Sequence, residues 1–152
     1  MKKRLIVTPD LCIGCRTCEI SCAFAHAREP GRPGQSRVRV YPRGEQAGMP
    51  VLCLQCEEAA CMAVCPVGAL VRNEATGAVE YLPQRCIHCK ACVAACPFGN
   101  IAYEEATDHM IKCDLCGGDP TCARFCPSSA LTFADSDAEA NLARRRKRVT
   151  AA

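Results

Sequence analysis

Residues 86–97 read Cys86-Ile87-His88-Cys89-Lys90-Ala91-Cys92-Val93-Ala94-Ala95-Cys96-Pro97, four cysteines spaced C-x2-C-x2-C-x3-C with a proline at the exit. Cys12-Cys15-Cys18-Cys22 repeats the spacing without the proline. Cys53-Cys56-Cys61-Cys65 and Cys113-Cys116-Cys122-Cys126 keep the C-x2-C start and the C-x3-C-P end but lengthen the middle to x4 and x5. All 16 cysteines of the 152-residue chain fall in these four runs. A unit repeated this densely is the architecture of the chain rather than an ornament on it.

The spacing has a chemical reason. A [4Fe–4S] cube carries four irons, and each takes one terminal thiolate. C-x2-C-x2-C lets one short loop wrap a cube and offer three sulfurs. The fourth cysteine sits in a segment already leaving the loop, and in two-cluster proteins of this spacing it ligates the other cluster. Sixteen thiolates in four runs therefore provide for four [4Fe–4S] clusters with none left over. Zinc sites also use C-x2-C pairs, but the two pairs usually stand far apart and His often completes them; here the third and fourth thiolates follow at once, and the chain has three His. Disulfides suit secreted chains, whereas this one opens Met1-Lys2-Lys3-Arg4 and reaches only Leu5-Ile6-Val7 before Thr8-Pro9-Asp10. Cysteines three apart in one loop also pair poorly in disulfide geometry. The C-x3-C-x2-C triplet of catalytic radical clusters does not occur.

Cysteine inflates the 49% hydrophobic content; without it the apolar share is about 38%. With no Trp, four Phe and three Tyr, an ordinary core is thin, so the clusters are expected to replace it and metal binding to be coupled to folding. The formal charge of +3 counts thiols as neutral. An oxidised cubane with its thiolates carries roughly −2, so the loaded chain is expected near −5, which removes the apparent signal for nucleic acid. No apolar run reaches the length of a membrane span, and no twin-arginine motif is visible. A cytoplasmic protein is the simplest expectation, with export alongside a partner as the alternative.

Strands are expected at Lys3–Val7, Leu70–Arg72, Val79–Leu82, Ile101–Tyr103, Met110–Lys112 and Leu131–Phe133, and a helix over Thr17–His26. Asn73-Glu74-Ala75-Thr76-Gly77 carries a hairpin signal. The hairpin between Cys65 and Cys86 resembles the inside of a two-cluster unit and pairs run two with run three. Runs one and four then form the other unit, closed by the first and last strands. Cubane A would take Cys12, Cys15, Cys18 and Cys126; B would take Cys113, Cys116, Cys122 and Cys22; C would take Cys53, Cys56, Cys61 and Cys96; D would take Cys86, Cys89, Cys92 and Cys65. Sequential pairing, one with two and three with four, is the alternative. The expected fold is α+β: two pseudo-symmetric ferredoxin-like units within residues 1–134, followed by a charged tail, 135–152. Ser136-x-x-Glu139 in that tail reads as a capping box, and Arg144-Arg145-Arg146-Lys147-Arg148 as a helix C-terminus. Residues 28–50, rich in Arg, Pro and Gly, read as a long loop that either docks a partner or covers a cluster.

Cys12-Ile13-Gly14-Cys15-Arg16-Thr17-Cys18-Glu19-Ile20-Ser21-Cys22-Ala23-Phe24-Ala25-His26 and Lys112-Cys113-Asp114-Leu115-Cys116 resemble the four-cluster ferredoxin-like electron-transfer subunits of molybdenum and tungsten oxidoreductases. That group includes the dimethyl sulfoxide reductase type, and the chain looks most like the small subunit of tungsten aldehyde oxidoreductase complexes. The resemblance covers about residues 3–134 and implies the same one-with-four, two-with-three pairing. It implies a non-catalytic subunit that conducts electrons between a partner holding a molybdenum or tungsten pterin cofactor and a second, flavin-containing or ferredoxin partner, with self-association left open. Carbon monoxide dehydrogenase and hydrogenase systems use similar subunits, and a free-standing polyferredoxin is a further alternative. His26, His88 and His109 lack a nucleophile–base arrangement and read as structural. Between the ligands, His88 and Lys90 stand in the loop of D, and Glu57 and Glu58 in that of C. Local charge alone therefore predicts that D is the easier of the two to reduce.

Overall fold

A computed structural model describes residues 3–45 and 47–135. The expected tail features, Ser136 to Glu139 and Arg144 to Arg148, lie outside the described residues. The fold is α+β. Its strands are β1 (Lys3–Val7), β2 (Val38–Pro42), β3 (Gly48–Leu52), β4 (Leu70–Arg72), β5 (Val79–Tyr81), β6 (Ile101–Glu104), β7 (His109–Lys112) and β8 (Leu131–Asp135). Its helices are α1 (Thr17–Ala25), α2 (Ala60–Ala63), α3 (Ala91–Ala95) and α4 (Thr121–Arg124). The strands pair antiparallel in four separate ribbons: β1 with β8, β2 with β3, β4 with β5 and β6 with β7.

The first and last strands, which flank runs one and four, pair in register from Lys3↔Asp135 to Val7↔Leu131, as expected from their places in the sequence. α1 packs on α4, and α2 on α3. The β4–β5 turn forms because the Asn73 side chain accepts from the Ala75 and Thr76 amides, while Gly77 supplies a positive φ of 74°. One segment departs from the sequence reading. Residues 38–52 are a β-hairpin that buries Val38, Val40 and Leu52, not a loop. Its strand period is carried by Val38-Arg39-Val40, and the flanking Pro and Gly mask it.

Cysteines and small apolar side chains share the interior. Cys18, Cys22 and Cys122 pack with Val38, Val40, Leu52 and Leu131. Cys92 packs with Ala59, Leu70, Val79, Ile101 and Met110. The large aromatics Phe24, Phe98 and Phe125 are exposed, so the interior lacks the contribution that such rings usually make. Among the described residues, no helix is long and apolar enough to cross a membrane.

Candidate functional site

Each cysteine loop is shaped by one backbone device. The residue just before the second cysteine of every run has a positive φ: Gly14 at 68°, Gln55 at 52°, His88 at 55° and Leu115 at 57°. Three of these are not glycine, and a left-handed conformation costs such residues about 1 kcal/mol or more. The same left-handed turn recurs in all four runs and bends each loop tightly. Arg16 and Lys90, each immediately before a helix, repeat it at 57° and 59°.

The exits of the runs aim amides at sulfur. After Cys65 and Cys96, the sequence Pro-x-Gly makes a turn with Gly68 and Gly99 at positive φ. The next amide then donates to the cysteine: Ala69 N to Cys65 Sγ at 3.2 Å and Asn100 N to Cys96 Sγ at 3.4 Å. Leu131 N does the same for Cys126 at 3.4 Å. Run one has Ala23 in place of proline, so α1 continues past Cys22. Its donor comes from a distance instead, Arg37 N to Cys22 Sγ at 3.2 Å. Side chains add to these contacts. Thr17 Oγ1 donates to Cys15 Sγ at 3.4 Å, and Lys112 Nζ to Cys53 Sγ at 3.4 Å.

Thiols from different runs converge. Burial pushes the Cys18 thiol up to about 11, and the negative charges of Cys126 and Cys12 push it the same way. Burial also raises Cys122, reinforced by Cys113, Cys22 and Cys116. Cys61 is raised by burial and then by Cys53 and Cys96, against the lowering effect of Lys112. Cys92 is raised by burial and by Cys65 and Cys86. Cys65, Cys86, Cys89 and Cys92 line one cavity, with Val67, Leu70 and Met110 around them. Run one thus meets run four, and run two meets run three. Cys56, Cys61, Cys86 and Cys96 all pack against the apolar group around Cys92, and Cys116 lies 3.9 Å from the Thr121 hydroxyl. Cys15 and Cys89 are the exposed thiols. Cys113 is pushed up to about 12 by burial and feels Cys53, so the two groups of runs touch there.

The three His have other partners. His26 Nδ1 bonds the Cys22 carbonyl at 2.8 Å, and its Nε2 lies 3.0 Å from Asp114 Oδ1. Burial opposes its charge, but the hydrogen bonds to Asp114 and Cys22 outweigh that and push its pKa up to about 10. Asp114 is likewise opposed by burial yet held at about 2 by His26 and the Cys116 amide. Ligand atoms of His26, Asp114 and Cys116 lie within 4.8 Å of one another, but both ring nitrogens are already hydrogen-bonded. His88 pairs with Asp108 at 3.1 Å, and His109 bonds the Thr107 carbonyl at 2.7 Å. Sequence reasoning did not find Lys112, Gln55, Arg37 or Tyr81 beside the cysteines. Lys112 reaches Cys53 from β7 and Gln55 reaches the Cys113 carbonyl from run two, while Arg37 meets Cys22 across 15 positions and Tyr81 lies near Cys86 from the end of β5; the cysteine spacing announces none of these.

Soft thiol donors met by sulfur-directed amides fit an iron–sulfur cluster and suit a hard cation poorly. The donor set defines an iron–sulfur protein. Residues 45–136 match the 4Fe-4S dicluster domain, and residues 9–25 a 4Fe-4S binding domain. The chain belongs to the 4Fe-4S dicluster domain family. It is 39% identical over 122 residues to the aliphatic sulfonate oxidoreductase polyferredoxin-like subunit of Pyrococcus furiosus, covering 80% of this chain and 70% of that protein. It is 33% identical over 187 aligned positions to formate hydrogenlyase subunit 2 of Escherichia coli, covering 99% of this chain and 90% of that one. A solved chain of the active-site complex BamBC of benzoyl coenzyme A reductase aligns over 97% of this chain and 92% of its own, with 25% identity and a TM-score of 0.46.

Proposed function

We propose that the chain is a non-catalytic electron-transfer subunit holding four [4Fe–4S] clusters in two pseudo-symmetric ferredoxin-like units within residues 1–134, with 135–152 as a separate tail. Cluster A sits on Cys12, Cys15, Cys18 and Cys126; B on Cys113, Cys116, Cys122 and Cys22; C on Cys53, Cys56, Cys61 and Cys96; D on Cys86, Cys89, Cys92 and Cys65. The observation that supports this reading is the packing of run one on run four through α1 and α4, and of run two on run three through α2 and α3, where Cys65 joins Cys86, Cys89 and Cys92 around one cavity. A bound cluster of this type accepts and releases one electron. The protein's share is to supply every terminal ligand, which leaves no iron open to substrate, and to fix the potentials through charge and hydrogen bonds to sulfur.

Cys18 neighbours Cys122, Cys113 neighbours Cys53, and Cys56, Cys61, Cys86, Cys92 and Cys96 share one apolar cluster. These contacts support the order A–B–C–D, with exposed Cys15 and Cys89 at its ends. The catalytic partner is a molybdenum or tungsten pterin enzyme of the aldehyde oxidoreductase type, and the second partner a flavoprotein or ferredoxin, in the cytoplasm. The E. coli relative, named as a formate hydrogenlyase subunit, favours a second reading with a hydrogenase-type partner. Copurification with mass spectrometry separates these from a free-standing carrier, which would purify alone.

Anaerobically prepared protein should contain about sixteen irons and sixteen sulfides per chain; a count near eight, or zinc, would sink the reading. Cys126→Ala should perturb cluster A rather than run four's own cluster B, and a spectroscopic change confined to B would contradict the exchange of last ligands. Tyr81 offers a gentler probe. Its hydroxyl is buried with no hydrogen-bond partner. Burial and then the nearby Cys86 push it up to about 12. If this unpaired hydroxyl turns to the Cys86 sulfur when the cluster is bound, Tyr81→Phe should lower the potential of D alone with the iron content intact, because an O–H donated to sulfur favours the reduced cluster. Four unchanged potentials would place the hydroxyl outside the circuit.

A further inference from the structure

Lys112 ends β7 and is 5% exposed, which is rare for lysine. Its ammonium has three hydrogens to donate and three acceptors in reach: the Cys113 carbonyl at 3.1 Å, Gln55 Oε1 at 3.3 Å and Cys53 Sγ at 3.4 Å. Gln55 is itself buried and fixed from two sides. Its amide donates to the Cys113 carbonyl at 2.9 Å, and its oxygen accepts from Val79 N at 2.8 Å. Among the described residues, no carboxylate forms an ion pair with Lys112. A buried cation without a counter-anion is strongly unfavourable. The group beside it that can carry negative charge is the Cys53 sulfur, as a metal-bound thiolate. Cys53 and Cys113 meet in one small packed group with Ala78 and Leu115, next to the ammonium.

We infer that Lys112 is the shared counter-cation of centres B and C, a positioning residue that holds both potentials up where electrons cross from one half of the chain to the other. The inference rests on the ligand sets proposed above. Reduction adds one negative charge to a centre, and a fixed buried cation at its edge stabilises that charge with little screening from water. The transfer moves one electron from the reduced member of the pair to the oxidised one, and no bond, proton or further reactant takes part. Without the cation, both centres between the exposed ends become harder to reduce, and the crossing becomes the uphill part of the path. Gln55 holds the ammonium in place, and its own left-handed backbone at φ 52° aims its side chain at Cys113 and Val79.

The test is a dithionite titration of the intact protein, followed by electron paramagnetic resonance, on Lys112→Gln, Lys112→Arg and Gln55→Glu. Cys53→Ser and Cys113→Ser, each altering a different signal in protein with full iron, mark centres C and B. Failure of that marking, or a low wild-type iron count, refutes the ligand sets rather than the role of Lys112. With the marking in hand, Lys112→Gln should lower the marked pair and leave the other two in place. The expected change for C is at least tenfold in the reduced-to-oxidised ratio at fixed potential, about 59 mV for one electron. Lys112→Arg should restore most of it. Gln55→Glu keeps the lysine but sets a carboxylate against it, and should lower the same pair; it decides the matter if Lys112→Gln loses iron. Unchanged B and C potentials in Gln55→Glu and in any iron-replete Lys112→Gln protein overturn the inference, as does an equal shift of all four.

Discussion

Stripping iron from the anaerobic protein with a strong chelator is expected to collapse its far-ultraviolet circular dichroism to that of a largely unfolded chain. The elements are too short to stand alone. Among the described residues the helices run nine, four, five and four residues, well below the length at which an isolated helix persists in water, and every sheet is a two-stranded ribbon, marginal without further packing. What packs them is an interior in which cysteines sit in each apolar group, while Phe24, Phe98 and Phe125 face outward. Ligand binding energy is then folding energy. Near-native dichroism after complete iron loss would show that the apolar groups suffice by themselves.

On the ligand sets proposed above, Gly34→Ala should cost the protein about four of about sixteen irons, those of centre B. The distal donor to Cys22 depends on a close chain crossing. Gly34 N donates to the Ala23 carbonyl at 2.9 Å, and a β-carbon on Gly34 would sit 2.3 Å from the His26 carbonyl oxygen. That oxygen belongs to backbone beside the end of α1, so it cannot swing aside as a side chain would. Relief by local movement costs about 1–3 kcal/mol, and the easiest movement carries the segment leading to Arg37 away from Cys22. Iron analysis and the number of reducible signals read this directly. Full iron with four unaltered potentials in Gly34→Ala would mean that the Arg37 amide is dispensable.

Much of this arrangement was legible in the sequence because it is local. The repeated C-x2-C start and C-x3-C end mark the loops, and Asn73 to Gly77 marks a turn through its own side chain. The β1–β8 pairing was also foreseeable, since strands flank runs one and four in the right places. The β2–β3 hairpin was not, because Pro42, Gly44, Gly48 and Pro50 interrupt its pattern. Electrostatics was the least legible part. Counting charges between ligands set Glu57 and Glu58 against centre C, and His88 and Lys90 in favour of D. In the folded chain Glu57 pairs with Arg4. Lys90 lies 3.9 Å over the Tyr103 ring and 3.8 Å from Glu105. Lys112 reaches the sulfur of Cys53 across 59 positions of sequence. A count of charges between ligands therefore leaves out the buried cation beside Cys53, a residue that no window around Cys53 contains.

The pairing of Lys3–Val7 with Leu131–Asp135 sets a schedule for biosynthesis. In the ligand sets proposed above, Cys12, Cys15 and Cys18 are translated well before Cys126, their fourth ligand, and before the strand that pairs with β1, whereas the inner runs are complete once Cys96 is made. If clusters fill as their ligands become free, C and D form before A and B, and the thiols of run one wait longest for iron and stand open to oxygen meanwhile.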